Sequence, residues 1–384
     1  MAINTLQGDV LDKLAELPDK SVHCIVTSPP YWGLRSYLHK DDPLKAFEIG
    51  CEKTPEEYVA KMVAVFREAK RVLRDDGVCF LNLGDSYAGS GVHAEHHANP
   101  GKSQSATRGC LSGVPITPGL KPKDLCGIPW RVALALQADG WYLRSDIIWF
   151  KRNPMPESVT DRPTKAHEYI FLLTKSQRYF YDAEAVKEES GEQTGMAADF
   201  KRETKDHVIP KQSAKQHRVE REQTKNTGRR NLRSVWDITT KGYLGAHFAT
   251  FPPELPERCI KAGTSEKGVC SKCGAGWVRV VEREKHPTRD MEQQREKAKE
   301  RGVLGGKVQG PEGMIDITKT LGWSPACKCN TDTIPATVLD CFGGSGTTGE
   351  VAERLGRNAI LIELNPKYIP LIQKRTHHTN MFAS

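Results

Sequence analysis

Leu339-Asp340-Cys341-Phe342-Gly343-Gly344-Ser345-Gly346-Thr347-Thr348-Gly349 is the stretch that decides the fold. It follows a short apolar run, Ala336 to Leu339, and leads into residues with helical spacing, Thr347 to Leu355. It therefore reads as strand, glycine-rich turn and helix. Gly344-x-Gly346-x-x-Gly349 fits a nucleotide-binding loop, and the next strand, Asn358 to Glu363, ends on an acid placed to accept hydrogen bonds from ribose hydroxyls. Too little chain follows to complete a dinucleotide fold, which argues against a nicotinamide dehydrogenase. A nucleoside-bearing ligand needs close backbone approach, and carboxylates to accept from its ribose hydroxyls and any ammonium group. The glycines supply the first, and Asp340 and Glu363 are placed to supply the second.

Near the other end, Thr27-Ser28-Pro29-Pro30-Tyr31-Trp32 follows a second buried-strand run, His23 to Thr27. Its prolines fix φ and remove two backbone donors, leaving carbonyls directed outward from the strand end. Such a rigid acceptor suits an exocyclic amine, whose lone pair is delocalised into its ring. Hydrogen bonds from both N–H groups to Ser28 Oγ and the Pro29 carbonyl favour the pyramidal nitrogen that attacks a methyl group, a polarisation that develops along the reaction. Tyr31 offers a face on which an extruded base can stack, and Trp32 extends that wall. The bland alternative is a two-proline turn closing a strand. The chain has no Pro-Cys pair for thiolate attack on a ring carbon.

Working inward, strands and helices alternate. Gly8-Asp9 ends an N-terminal strand, Val10 to Leu17 has helical spacing, and Pro55 to Leu73 reads as an amphipathic helix capped by Thr54 and stopped by Asp75-Asp76-Gly77. Val78 to Leu83 is a buried strand, Pro129 to Ala138 a helix, and Tyr142 to Phe150 and Glu168 to Thr174 are strands, the second extended by Arg178 to Tyr181 as a hairpin. Phe251 to Pro256 leads into a short helix ended by Gly263. This alternation predicts a mostly parallel sheet with helices on both faces. Tyr87 to Lys123 lacks periodicity and reads as a loop, and Thr288 to Arg301 as a charged helix.

The 384 residues suffice for one large domain with insertions, or two domains. Of the net charge of +8, a balance of +7 falls between Phe200 and Arg233, where 11 Lys/Arg face 4 Asp/Glu. That run is either a solvated linker or a phosphate-contacting surface. No apolar run is long enough to span a bilayer and no leader is visible, so the expected address is the cytoplasm, without a membrane partner. The 11 cysteines read mainly as buried small hydrophobes, Cys24, Cys79, Cys259 and Cys341 among them. Cys270-x-x-Cys273-Gly has zinc-knuckle spacing and Cys327-x-Cys329 completes four thiolates for a structural zinc, flanked by Gly268 and Gly274.

The order of tetrapeptide Ser28-Pro29-Pro30-Tyr31, variable middle and C-terminal glycine loop resembles the permuted β group of DNA amino-methyltransferases, the N4-cytosine/N6-adenine family. The resemblance implies an α/β fold, a Rossmann-like seven-stranded, mainly parallel methyltransferase sheet, circularly permuted. Inserted in it are target-recognition and zinc-ribbon-like regions. It implies a catalytic part at 1–182, a basic target-recognition segment at 183–240, a cofactor-side helix at 241–263, a cysteine insert at 264–332 and a cofactor-binding part at 333–384. S-adenosylmethionine is the implied donor, held by Asp9, Asp340, Phe342, Gly344, Gly346, Thr347 and Glu363. Ser28, Pro29, Pro30 and Tyr31 are the implied catalytic residues, with Thr164 to Phe171 beside the base pocket. Serine at the first tetrapeptide position usually accompanies cytosine N4 in this family, with N6-adenine as the alternative. An RNA or protein-glutamine amino-methyltransferase is a more distant one. The expected partner is double-stranded DNA, read by the basic segment and the cysteine insert. The number of copies, homodimer included, stays open.

Overall fold

The computed structural model describes residues 1–34, 36–39, 41–89, 117–189, 229–240, 250–287 and 314–377. Most of the basic run from Phe200, most of the loop from Tyr87 and all of the charged helix expected at Thr288 to Arg301 lie outside the described residues. The chain divides into two units. The first comprises Met1–Ala185, Arg233–Val278 and Trp323–Ser384, and the second Val186–Leu232 and Arg279–Gly322. The second contains the short antiparallel pair β6 (Glu188–Glu189) and β7 (Arg229–Arg230), joined also by an Arg230–Glu188 ion pair of 2.8 Å.

The first unit is built on one sheet. Its strands are β1 (Ile3–Gln7), β2 (Val22–Thr27), β3 (Leu73–Leu83), β4 (Tyr142–Phe150), β5 (His167–Thr174), β8 (Val235–Asp237), β13 (Thr337–Asp340) and β14 (Asn358–Glu363), while β9 (Val269–Cys270) pairs only with β12 (Thr333–Ile334) and β10 (Trp277–Pro287) only with β11 (Met314–Pro325). The sheet strands lie in the order β1-β14-β13-β2-β3-β5-β4-β8, and only β5 runs antiparallel to its neighbours. The sheet has eight strands where seven are expected from sequence. The extra one, β8, is three residues long, below the length at which periodicity is readable, and it pairs along the free edge of β4.

Helices cover both faces because the central strands are apolar on both sides. Cys79, Leu81 and Leu83 of β3 join a core with Leu14, Met62, Phe66, Val132 and Leu136. These come from α1 (Val10–Ala15), α2 (Pro55–Val72) and α3 (Ile128–Ala138). On the other face, α4 (Glu254–Gly263) comes so close that a Cβ on Gly263 would lie 2.6 Å from Val78 and 2.7 Å from Cys24. The helix α5 (Thr347–Arg354) packs with α6 (Ile369–His377).

Local signals set the element ends. Thr54 Oγ1 accepts from Glu57 N at 3.2 Å while Glu57 reaches back to Lys53 N at 2.9 Å, with Pro55 at the first helical position. The helix stops at Val72, earlier than the acidic turn predicts. Leu73 already pairs with Val22 of β2, and Asp75-Asp76-Gly77 lies within β3, where Lys20 and Lys175 bridge Asp75. Arg178 to Tyr181 is not a hairpin strand; its Phe180 N–H donates to Asp76 O at 2.8 Å instead. Cys24, Cys79, Cys259 and Cys341 are buried free thiols as expected, whereas Cys51 is disulfide-bonded.

Candidate active site

The carboxyl ends of β1, β14, β13, β2 and β3 open into one cavity of roughly 490 Å³. A site beyond strand carboxyl ends is where open α/β sheets bind ligands. Ser28, Pro29, Pro30 and Tyr31 line it, as do Asp9, Asp340, Phe342, Gly344, Thr347 and Glu363. The two motifs, more than 300 positions apart, meet directly. Thr27 Oγ1 donates to Asp340 Oδ1 at 2.7 Å, Thr348 Oγ1 donates to Asp340 Oδ2 at 2.7 Å, and Phe342 N donates to Oδ1 at 3.0 Å. Burial pushes the Asp340 carboxyl up to about 6, although these three donors oppose the shift. A carboxylate has about four lone-pair sites, so Asp340 chiefly clamps the two motifs and retains about one acceptor position for a ligand.

The remaining loop residues divide by task. Gly344 and Gly346 hold φ of +52° and +82°, in the left-handed region that a side chain resists. Gly346 is not among the cavity lining; it caps α5, and a Cβ there would lie 3.2 Å from Ile372 of α6. Glu363 Oε2 accepts from Gly344 N and Oε1 from Asn365 N, both at 2.8 Å, leaving each oxygen lone-pair capacity toward the cavity. Burial raises its carboxyl to about 7. Asp9 is the α1 N-cap, its Oδ1 accepting from Leu11 N at 2.9 Å and Asp12 N at 3.3 Å.

The tetrapeptide is anchored from several elements. Tyr58 Oη of α2 donates to the Pro30 carbonyl at 3.0 Å. Tyr31 Oη lies 2.7 Å from Glu168 Oε2 and 3.0 Å from Asn82 Oδ1, and Ser28 Oγ donates to Tyr31 Oη at 3.2 Å. Asn82 Nδ2 also donates to Glu168 Oε2 at 3.2 Å, and Lys151 forms an ion pair with Glu168 Oε1. Burial first, and the Glu168 charge second, push the Tyr31 phenol well above its ordinary range, so it stays protonated. Sequence reading missed Asn82, Lys151 and Tyr58. Asn82 has a legible signal, being the one polar residue in the buried run Val78 to Leu83. Trp32 departs from expectation: it is 1% exposed, its Nε1 donates to Glu52 O at 2.9 Å, and it belongs to the core rather than a base-stacking wall.

The four cysteines also meet. The Sγ atoms of Cys270, Cys273, Cys327 and Cys329 all lie within 4.8 Å of one another. Tetrahedral zinc with bonds of about 2.3 Å needs sulfurs about 3.8 Å apart, so the donor set fits. Gly268 and Gly274 hold φ of +110° and +71°, the turns that spacing demands. The cluster sits at the amino end of the sheet. Arg74 Nη1 donates to Cys273 O at 2.7 Å, and His23 lies 3.2 Å from Gly274 O through Nε2 while its Nδ1 accepts from Thr337 N at 3.1 Å. Burial lowers the His23 ring to about 4, so it is the neutral Nε2–H tautomer. Ser28 lies five positions further along this strand than His23, about 16 Å at ~3.3 Å per residue. The knuckle therefore lies at the far end of the sheet from the cleft.

Comparison with known proteins agrees with this geometry. The DNA methylase family of N6 and N4 enzymes matches residues 22–300 and 332–374. The chain is 47% identical over 372 residues to the Type II methyltransferase M.Cfr9I of Citrobacter freundii, covering 96% of this chain and 86% of that one. It is 37% identical to M.XycI of Xanthomonas campestris pv. cyanopsidis, covering 97% and 87%. It is 35% identical to M.SmaI of Serratia marcescens, covering 96% and 88%. Among solved structures, the PvuII DNA methyltransferase (cytosine-N4-specific) matches with a TM-score of 0.51 at 17% identity, over 97% of this chain and 85% of that one, a likeness of fold. The chain belongs to the N6/N4 DNA methylase family.

Proposed function

We propose that the protein is a site-specific DNA methyltransferase that moves a methyl group from S-adenosylmethionine to the exocyclic N4 amine of an extruded cytosine. The observation that carries this reading is the Thr27–Asp340 hydrogen bond of 2.7 Å, which joins the amine-accepting tetrapeptide to the glycine loop in one cleft. The residues fit the donor: the left-handed glycines admit close backbone approach, and Glu363 keeps lone pairs for ribose hydroxyls. Bound there, the donor supplies an electrophilic methyl on a positively charged sulfur. Ser28 Oγ and the Pro29 carbonyl accept the two amine hydrogens, and Tyr31 with its buried hydroxyl holds that end rigid. Ser28 at the first tetrapeptide position supports cytosine over adenine.

The four thiols hold a structural zinc that pins the turns carrying Cys270, Cys273, Cys327 and Cys329 to the amino ends of β2 and β3. The sequence order is the permuted one, consistent with β1 lying beside β14, where Ala2 N donates to Asn358 Oδ1 at 2.9 Å. The basic segment within 183–240 contacts the phosphates of double-stranded DNA and reads the site, and the enzyme serves a restriction-modification pair. No helix among the described residues is long and apolar enough to cross a membrane, and we assign the enzyme to the cytoplasm. Tritiated methyl transfer to duplex DNA followed by nucleoside digestion tests the function. N4-methylcytosine is expected, predominant N6-methyladenine would overturn the base assignment, and no labelled nucleoside would overturn the activity.

A further inference from the structure

Methylating an amine leaves a surplus proton on nitrogen, and the tetrapeptide alone does not say where it goes. A continuous line of oxygens leads away from the site: Ser28 Oγ to Tyr31 Oη at 3.2 Å, then Tyr31 Oη to Glu168 Oε2 at 2.7 Å. A phenol has one proton, and two acceptors compete for it. Glu168 Oε2 is nearer than Asn82 Oδ1 and carries charge, so it takes the bond. That choice sets every orientation upstream. With its proton committed to Glu168, Tyr31 Oη can only accept from Ser28. With its own proton committed to Tyr31, Ser28 Oγ presents lone pairs to the amine. Lys151 on Oε1 and Asn82 Nδ2 on Oε2 hold the carboxylate in place. Lys165 and His167 also face Glu168 electrostatically.

We propose that Glu168 is the positioning residue and proton acceptor of the methyl-transfer step, acting on the amine through Tyr31 and Ser28. This rests on the amino-methyltransferase reading above. The nitrogen lone pair forms the N–C bond as the C–S pair is left on sulfur, which becomes a neutral thioether. The N–H pair returns to nitrogen. Its proton passes to Ser28 Oγ, the Ser28 proton to Tyr31 Oη, and the Tyr31 proton to Glu168 Oε2. One positive and one negative charge vanish together, and the Glu168 carboxyl then releases its proton to solvent. Tyr31 thus has a task for its hydroxyl distinct from any stacking by its ring.

Two variants test this, Glu168→Gln and Tyr31→Phe, each compared with the unchanged protein on duplex DNA. The full-length ligand-free protein should show an exchange-protected, downfield hydroxyl proton resonance from Tyr31 that both variants lose. In single turnover from the preformed ternary complex, both should slow by about 10²-fold or more, with DNA and donor affinities within about threefold. The unchanged protein should show a bowed proton inventory in mixed light and heavy water, since several protons move together, and Tyr31→Phe a linear one. Rates within about threefold in Tyr31→Phe, no such resonance, or no solvent isotope effect in the unchanged protein would each overturn the relay. Absence of methyl transfer by the unchanged protein would instead overturn the function on which it rests.

Discussion

Gly84, which follows β3, has no side chain because the Tyr31 ring occupies that space. A Cβ there would lie 2.6 Å from Tyr31 Cε2 and 2.8 Å from Cδ2. Carbon contacts settle near 3.5–4.0 Å, so Gly84→Ala must push the ring back by about 1 Å. Gly84 is not among the glycines with positive φ, so alanine meets no backbone obstacle and the effect is steric alone. A retreat of about 1 Å stretches the 2.7 Å Tyr31–Glu168 contact past the hydrogen-bonding limit of about 3.5 Å. Overpacking should cost about 1–3 kcal/mol of stability. Misplacement of that size at a catalytic group costs about 10²-fold, or about 2.7 kcal/mol of barrier. Rapid-quench single-turnover assays give the rate, and titration calorimetry gives donor affinity, which should hold within about twofold because the glycine loop is untouched. In Tyr31→Phe, adding Gly84→Ala should cost much less than it does alone, since the contact is already gone. A Gly84→Ala protein turning over within about threefold of normal would refute the packing argument.

Other outcomes follow from the same geometry. Because burial raises Glu363 to about 7 from an ordinary 4.5, its contribution to ligand-free stability is fully present below pH ~4.5 and is lost as pH rises through 7. Donor affinity should move the opposite way, weakening as pH falls below 7, and Glu363→Gln should flatten that profile in titration calorimetry; an unchanged slope would remove Glu363 from the donor site. Asp340→Ala leaves two hydroxyls and one amide without their acceptor, so it should lower the melting temperature as well as donor affinity, and full stability would contradict the clamp. Elemental analysis should find one zinc per chain. A strong chelator should lower the thermal midpoint while the fraction still folded keeps its single-turnover rate, because the knuckle is remote from the cleft. Loss of rate ahead of unfolding would contradict that placement.

Much of this was legible because it is local. The Thr54-Pro55-x-Glu57 start of α2, the strand runs of β2 and β14, and the left-handed turns at Gly344 and Gly274 depend on neighbours within a few positions, so periodicity and residue type announce them. Trp32 misled for the complementary reason. An aromatic beside such a motif reads as part of its wall, and only the hydrogen bond from Trp32 Nε1 to Glu52 O and a place in the buried core turn it inward. Likewise the acidic turn at Asp75 was read as a helix stop, while pairing of Leu73 with Val22, which no local pattern encodes, ends the helix sooner.

Residue order alone determined the groups on offer: a rigid two-proline turn closing a buried strand, a glycine loop between strand and helix, and four thiols at metal spacing. Tertiary structure decided which of these work together. Parallel pairing of β13 with β2 carries Asp340 to Thr27, and antiparallel pairing of β3 with β5 carries Asn82 and Glu168 to Tyr31, contacts spanning 313, 51 and 137 positions. It also set the knuckle at the amino ends of strands whose carboxyl ends form the cleft. The physical reason is that register across a sheet is a property of pairs of strands, fixed when both faces are buried, and a single strand's sequence holds only half of it.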